Sequence, residues 1–394
     1  MAVVTARALI SADCKNVADL QRHLVNQSDP ILHSIESRTV PGIYNYGQIV
    51  CSENFEDLDV LSFSQRYEII LTELFDQISP QLNKLTSVDG IFITFGTAEI
   101  RTTWESGQNK FALTQIELFQ MINSNLNRIG MKTIPADNFI VVDNTCASSL
   151  LSLGLCSAKI EQLNWQSGFV LAIDLVTDLV LEGLAIIRAL SDPKIIAGNK
   201  NSRPFSKSRS GFVRTEAACL VLVESQQAAM ARNSDFNFAI EGYGQSHDTK
   251  HLTAGDSEAI GIKKCISDAL NNAKTQISQI TLIKCHGTGT VINDKNEYRA
   301  LRETFSDQCP KVLSFKGQFG HAASASGLFE FIILEQMLIE NKLYPPVNCE
   351  DPDDEIALPL VKSIQETQDL QKIVMNAFGF GALNCSLIIS RSSK

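Results

Sequence analysis

Short apolar runs alternate with longer helical patterns along almost the whole chain, and this alternation constrains its fold more than any other feature. VDGIFITFG (88–96) reads as a strand that stops at a glycine. YEIILTELFDQI (67–78) and ELFQMINSNLNRIG (117–130) space their apolar residues three and four apart, as one face of a helix does. FIVVD (139–143), GFVLAID (168–174) and CLVLVES (219–225) are again strand-like. After a polar stretch at 226–236 a new strand-like run opens at FAIEGYG, and the order repeats. A helical pattern covers 257–273, followed by ITLIKCH (280–286), EYRALRETF (297–305), KVLSF (311–315), GLFEFIILEQMLIE (327–340) and the last strands KIVMNAFGF and CSLIIS. Strand and helix in regular succession predict an α/β fold. Two stretches of similar layout that meet near residue 230 predict two halves, 1–228 and 229–394.

The 394 residues, 44% of them hydrophobic and 20% charged, are enough for two domains or one large duplicated one. A net charge of −10 argues against a nucleic-acid partner. Ten cysteines are scattered singly with no C-x-x-C pair, so no zinc ribbon or other metal centre is expected. They read as reduced thiols in the cytoplasm. The start, MAVVTARALISADCKN, lacks the basic leader and long apolar run of a signal peptide. The most apolar later segment, 167–190, carries Asp174, Asp178, Glu182 and Arg188, which excludes a membrane span.

Cys146 lies between the run 139–142 and a helix-like pattern, in DNTCASSLLSLGL. A strand, a tight turn and a helix start would expose its sulfur at a sheet edge, where the positive end of the helix favours the thiolate. Ala147, Ser148 and Ser149 leave room for a substrate to approach. Three further loops follow apolar strands. IKCHGTGTVINDKNEYRAL (283–301) carries His286, SFKGQFGHAASASGLFEF (314–331) carries Lys316 and His321, and NAFGFGALN carries Phe380 between glycines. Only six histidines occur in the chain, and two of them sit in such loops.

These segments resemble the β-ketoacyl-acyl carrier protein synthases, the type II, stand-alone ketosynthases of the thiolase-fold condensing enzymes. DNTCASS is similar to the family's D-T-A-C-A-S-S. His286-Gly-Thr-Gly-Thr with Asp294 and Glu297 matches H-G-T-G-T-x-x-x-D-x-x-E. Ser314, Lys316, Gly320 and His321 match S-x-K-x-x-x-G-H. Asn376, Phe378, Gly379, Phe380, Gly381 and Asn384 match N-x-F-G-F-G-G-x-N, and 202–222 resembles a further family segment. The matches keep their order from about residue 88 to the end, while the first 80 residues resemble the family weakly.

The resemblance implies an α/β thiolase fold, five-layered αβαβα from two similar halves, and a decarboxylative Claisen condensation. Cys146 would carry the acyl group as a thioester. His286 and His321 would donate N–H groups to the enolate formed when a malonyl thioester loses CO2. The N–H groups of Cys146 and Phe380 would receive the tetrahedral oxyanion, with Phe380 gating the acyl pocket. Lys316 and Glu297 would orient and charge-balance the histidines, and Thr288 and Thr290 would touch the pantetheine arm. No cofactor is implied beyond the phosphopantetheine of an acyl carrier protein. That protein would dock at Arg188, in IRALS, with Lys110 assisting. A homodimer, or a heterodimer with a related ketosynthase-like subunit, is expected.

The chain departs from the family pattern at several positions. Ser206 and Ser210 replace aspartates, Thr215-Glu216-Ala217 replaces G-E-G, Val291 follows the H-G-T-G-T motif, and Gly381-Ala382-Leu383 replaces G-G-T. The chemical groups are kept while the walls differ, which points to a specialised fatty-acid, polyketide or aryl-polyene type pathway. Three other readings stand beside this one. A non-catalytic chain-length factor usually lacks the cysteine. A thiolase has a second reactive cysteine where Phe380 stands, and a chain-starting synthase has Asn in place of His321. An acyltransferase of the same fold would stop at the acyl-cysteine.

Overall fold

In a computed structural model, the chain is described over residues 1–26, 33–36, 43–49, 62–96, 113–191, 202–248, 250, 255–381 and 383–392. Strands β1 (Ala2–Ser11), β2 (Gly90–Phe95), β3 (Phe139–Val141), β4 (Ser167–Asp174), β5 (Ala217–Ser225), β6 (Phe238–His247), β7 (Ile280–Lys284), β8 (Lys311–Leu313), β9 (Lys372–Gly379) and β10 (Leu383–Arg391) form one mixed sheet. Their order in space is β8-β7-β9-β10-β6-β1-β5-β4-β2-β3.

Each set of five follows one plan. The third, second and fourth strands run parallel, and the fifth and first are added antiparallel. The two sets meet where Ala2 and Val3 of β1 pair with Ile240 and Ala239 of β6.

Period-two side-chain alternation sorts the strands' residues between layers. In β5, Ala217, Cys219, Val221 and Val223 enter a central core, while Ala218, Leu220 and Leu222 face a second core. In β9, Ile373, Met375 and Ala377 enter the central core, and Val374 and Phe378 face a third. A bulge in β1 switches faces, so that Val4 points to the centre and Ala6 outward.

Helices α1 (Val17–Asn26), α2 (Phe63–Ile78), α3 (Gln115–Arg128), α4 (Ser148–Gln162), α5 (Asp178–Ile186), α6 (Ile260–Asn272), α7 (Val291–Phe305) and α8 (Ser326–Ile339) complete the layers. Helices α2 and α3 cover one outer face and α6 and α7 the other. Both outer helices of the first pair open with capping boxes, Ser62 with Gln65 and Thr114 with Glu117. Helices α4 and α8 form the middle layer and are buried on most sides, α4 through its small and apolar residues and α8 through a largely apolar sequence. The result is an αβαβα stack. Among the described residues no helix is long and apolar enough to cross a membrane.

The two middle helices meet at their N-termini. A 3-10 turn, Thr145–Ala147, leads into α4, and a matching turn, Ala323–Ala325, leads into α8. Leu328 N–H donates to Ser149 Oγ at 3.1 Å. A Cβ on Gly327 would lie 2.6 Å from Leu150 N, so the backbones approach too closely for any side chain there.

Candidate active site

The turn that carries Cys146 is strained. Thr145, a β-branched residue, has φ 49°, a conformation that costs free energy and persists only where its surroundings hold it. Thr145 Oγ1 donates to Phe380 O at 2.8 Å, and Ser148 Oγ donates to Thr145 O at 2.7 Å. The end of β9 presses on this turn, and a Cβ on Gly379 would sit 2.0 Å from Thr145 Oγ1 and 3.2 Å from Cys146 N. Phe380 N–H donates to the Cys146 sulfur. The same backbone donor therefore stands beside the sulfur where a tetrahedral oxyanion would form.

The sulfur is less exposed than the sequence reading expected. Cys146 is only 6% exposed, and burial pushes its thiol up to about 11, although Arg214, Lys316 and the Phe380 N–H pull the other way. The expectation of a helix-favoured thiolate at the surface is thus corrected. Desolvation outweighs the nearby positive groups in the free protein.

His286 and His321 lie together, ring centroids 5.5 Å apart and edge to face. Lys316 Nζ lies 2.7 Å from His286 O and 3.5 Å from its Nδ1. His321 Nδ1 is 2.8 Å from Ser326 Oγ at the start of α8. With each Nδ1 taking a proton from its neighbour, both rings present Nε2–H to the cleft. Burial first, then Lys316, holds both imidazoles well below their ordinary range, so they stay neutral donors near neutral pH. Phe212 and Phe378 pack edge-on against His321 and His286.

Glu297, on α7, accepts N–H from His286 at 2.7 Å and from Gly287 at 2.8 Å, which fixes the loop backbone. Asp294 holds the next turn through Gly289 N–H and Phe205 N–H. Burial pushes both carboxyls up. Thr288 and Thr290 bond hydroxyl to hydroxyl at 2.9 Å.

A cleft of about 330 Å³ unites Cys146, His286, His321, Thr288, Thr290 and Phe380, with Arg188 at its wall. Arg188 is exposed and has φ 55°. Lys316 and Glu297 stand behind the histidines, and Lys110 lies outside the described residues.

The sequence reading missed several polar groups behind the cleft. Glu330, on α8, joins Lys316 at 2.5 Å and also bonds Lys284. Arg214 pairs with Asp174 and donates to His321 O at 3.1 Å, and Asp174 also accepts Ser324 N–H at 2.7 Å. For three of them a signal existed in the sequence: Glu330 is a charge in a largely apolar helical run, and Asp174 and Lys284 close apolar strand-like runs; such charges need partners. At one departure position, the Ser206 hydroxyl bonds the Asp351 carboxylate, which also accepts from Ser208 and holds Arg203 at 2.7 Å.

A family profile, the β-ketoacyl synthase C-terminal domain, matches residues 238–350. The 3-oxoacyl-[acyl-carrier-protein] synthase 2 of Coxiella burnetii is 36% identical over 217 residues, which is 55% of this chain and 52% of that one. The chain thus spans about half the length of the curated relatives it matches. A chain of the complex between a type II PKS acyl-carrier protein and its ketosynthase, bound to the hexaketide, superposes with TM-score 0.83 at 18% identity, covering 100% of this chain and 99% of that one. A chain of the ketosynthase and chain length factor complex from Xenorhabdus doucetiae gives 0.77 at 20% identity, covering 99% and 98%. At those identities the likeness is one of fold. The profile and the relatives thus make this chain similar to β-ketoacyl synthases over the stretches they match, and the solved structures share its thiolase fold.

Proposed function

We propose that the chain is a β-ketoacyl-acyl carrier protein synthase that joins an acyl group to a malonyl unit with loss of CO2. The observation that carries this reading is one cleft holding Cys146 beside the Phe380 N–H and two neutral, buried histidines. The Cys146 sulfur attacks an acyl thioester while its own proton passes to the departing carrier sulfur, which gives an acyl-cysteine and a free carrier thiol. A malonyl thioester then enters and loses CO2, and the electron pair of the broken C–C bond forms an enolate. The Nε2–H groups of His286 and His321 stabilise its oxygen. The enolate carbon attacks the acyl-cysteine, and the tetrahedral oxyanion sits against the N–H groups of Cys146 and Phe380. Collapse forms the β-ketoacyl thioester and expels the cysteine thiolate, which takes a proton from water to restore the thiol.

In this reading the first half, 1–228, supplies the nucleophile and the second, 229–394, supplies the histidines and Phe380. Thr288 and Thr290 line the pantetheine path, Phe380 gates the acyl pocket, and Arg188 meets the acidic carrier, with Lys110 assisting. The enzyme works in the cytoplasm, with no cofactor of its own. It pairs with itself or with a ketosynthase-like subunit, in a specialised fatty-acid, polyketide or aryl-polyene type pathway.

The test combines mass spectrometry with CO2 release. An acyl donor should label Cys146 alone. His286→Ala or His321→Ala should keep that label while condensation falls roughly 10²–10³-fold. Label elsewhere, or an acylated wild type that releases no CO2 from a malonyl carrier, overturns the proposal in favour of an acyltransferase.

A further inference from the structure

Lys284 is a buried charge that the reaction just described does not use. It ends strand β7, and period-two alternation puts it on the face of Leu282, toward the middle layer. Its side chain is fully buried. The ammonium donates to one oxygen of Glu330 and, at 2.7 Å, to Asn376 O. The other Glu330 oxygen takes Lys316 at 2.5 Å. One carboxylate is therefore divided between two ammonium groups, one oxygen each.

The division matters for Lys316. That ammonium has three N–H groups, and three acceptors surround it: Glu330, His286 O and His286 Nδ1. The third contact leaves the cleft-facing nitrogen of His286 as a donor. Without Lys284, Glu330 would have a bare oxygen in the core and would turn to grip Lys316 with both oxygens. Lys316 would be drawn off Nδ1, and the His286 tautomer would no longer be fixed. Charge points the same way. Lys284 and Lys316 balance the carboxylates of Glu330 and Glu297, and loss of Lys284 leaves one negative charge uncompensated among buried groups.

We infer that Lys284 is a positioning residue, a built-in cation that holds Glu330 so that Lys316 stays directed at His286 Nδ1 and the imidazole presents Nε2–H to the cleft. The inference about catalytic effect rests on the condensation reading, whereas the effect on the His286 tautomer does not.

Two variants and two readouts test it. Lys284→Met should lower decarboxylation of a malonyl thioester about 10–100-fold, the range typical when a group that orients an active-site ligand is lost. KM and the rate of Cys146 acylation should change little. In ¹⁵N-histidine spectra the wild type should show His286 as the Nε2–H form, and the variant a mixture of tautomers. Lys284→Ala should regain at least about tenfold activity with methylammonium, which restores the cation, and not with tetramethylammonium, which is too large for the vacated space. Should Lys284→Met fail to fold, Lys284→Gln keeps a donor without the charge and should show the same two losses. A folded variant with full activity and an unchanged His286 tautomer overturns the inference. So does lost activity with neither tautomer mixing nor methylammonium rescue, which would make Lys284 a packing group. If the wild type releases no CO2, the condensation reading fails while the tautomer comparison still decides the role of Lys284.

Discussion

Gly379→Ala tests how closely the last strands govern the turn at Cys146, the nucleophile of the proposed reaction. An added Cβ would lie 2.0 Å from Thr145 Oγ1, where ordinary contact begins at 3.4 Å, so one of the two must yield by about 1.4 Å. It would also lie 2.9 Å from Asn144 O and 3.2 Å from Cys146 N, so rotating the threonine side chain does not clear the site. Backbone has to move. Overpacking of this kind costs about 1–3 kcal/mol of stability. The larger effect should be on chemistry, because Thr145 is already at φ 49° and its hydroxyl ties the turn to Phe380 O. A displacement of about 1 Å at a reacting group costs on the order of 10²-fold in rate. The assay is single-turnover acylation of Cys146, followed by mass spectrometry, beside urea unfolding. Acylation should fall by about two orders of magnitude while the protein stays folded. Wild-type acylation in a folded Gly379→Ala protein would refute the reasoning, because the turn would then tolerate the displacement.

Arg188→Glu should raise KM for a carrier-bound substrate much more than for a short pantetheine mimic, and the defect should worsen little with added salt, which already weakens the wild-type contact. Equal effects on both substrates would assign Arg188 to the fold. Stability should depend on pH through His321. Its folded pKa lies well below 6.5, so the unfolded chain takes up a proton that the folded one does not as pH falls past about 6.5. The stability this histidine contributes is present above that pH and is lost below it, by about 1.4 kcal/mol per unit. Urea unfolding at pH 7.5 and 5.5 should therefore show a smaller acid loss for His321→Phe than for the wild type, and an identical loss in both would count against a neutral buried imidazole.

What the sequence determined by itself was local. The runs at 88–96, 168–174 and 219–225 are strands because their apolar residues face two cores, and short-range periodicity records that directly. The stretches 67–78, 257–273 and 327–340 carry helices for the same reason, and the ordered loops around Cys146, His286, Lys316, His321 and Phe380 could be read in line. Only the tertiary structure decided what surrounds these groups. Cys146 looked exposed in its turn, but the sulfur is buried beside groups brought in from far along the chain, Arg214, Lys316 and Phe380, and its thiol rises because of that burial. Glu330 and Lys284 are 46 residues apart, and Arg214 and Asp174 are 40 apart. No periodicity spans such distances. A charge inside an apolar run announces in sequence that it needs a partner, but the partner's identity is set by which strand end meets which helix in the middle layer.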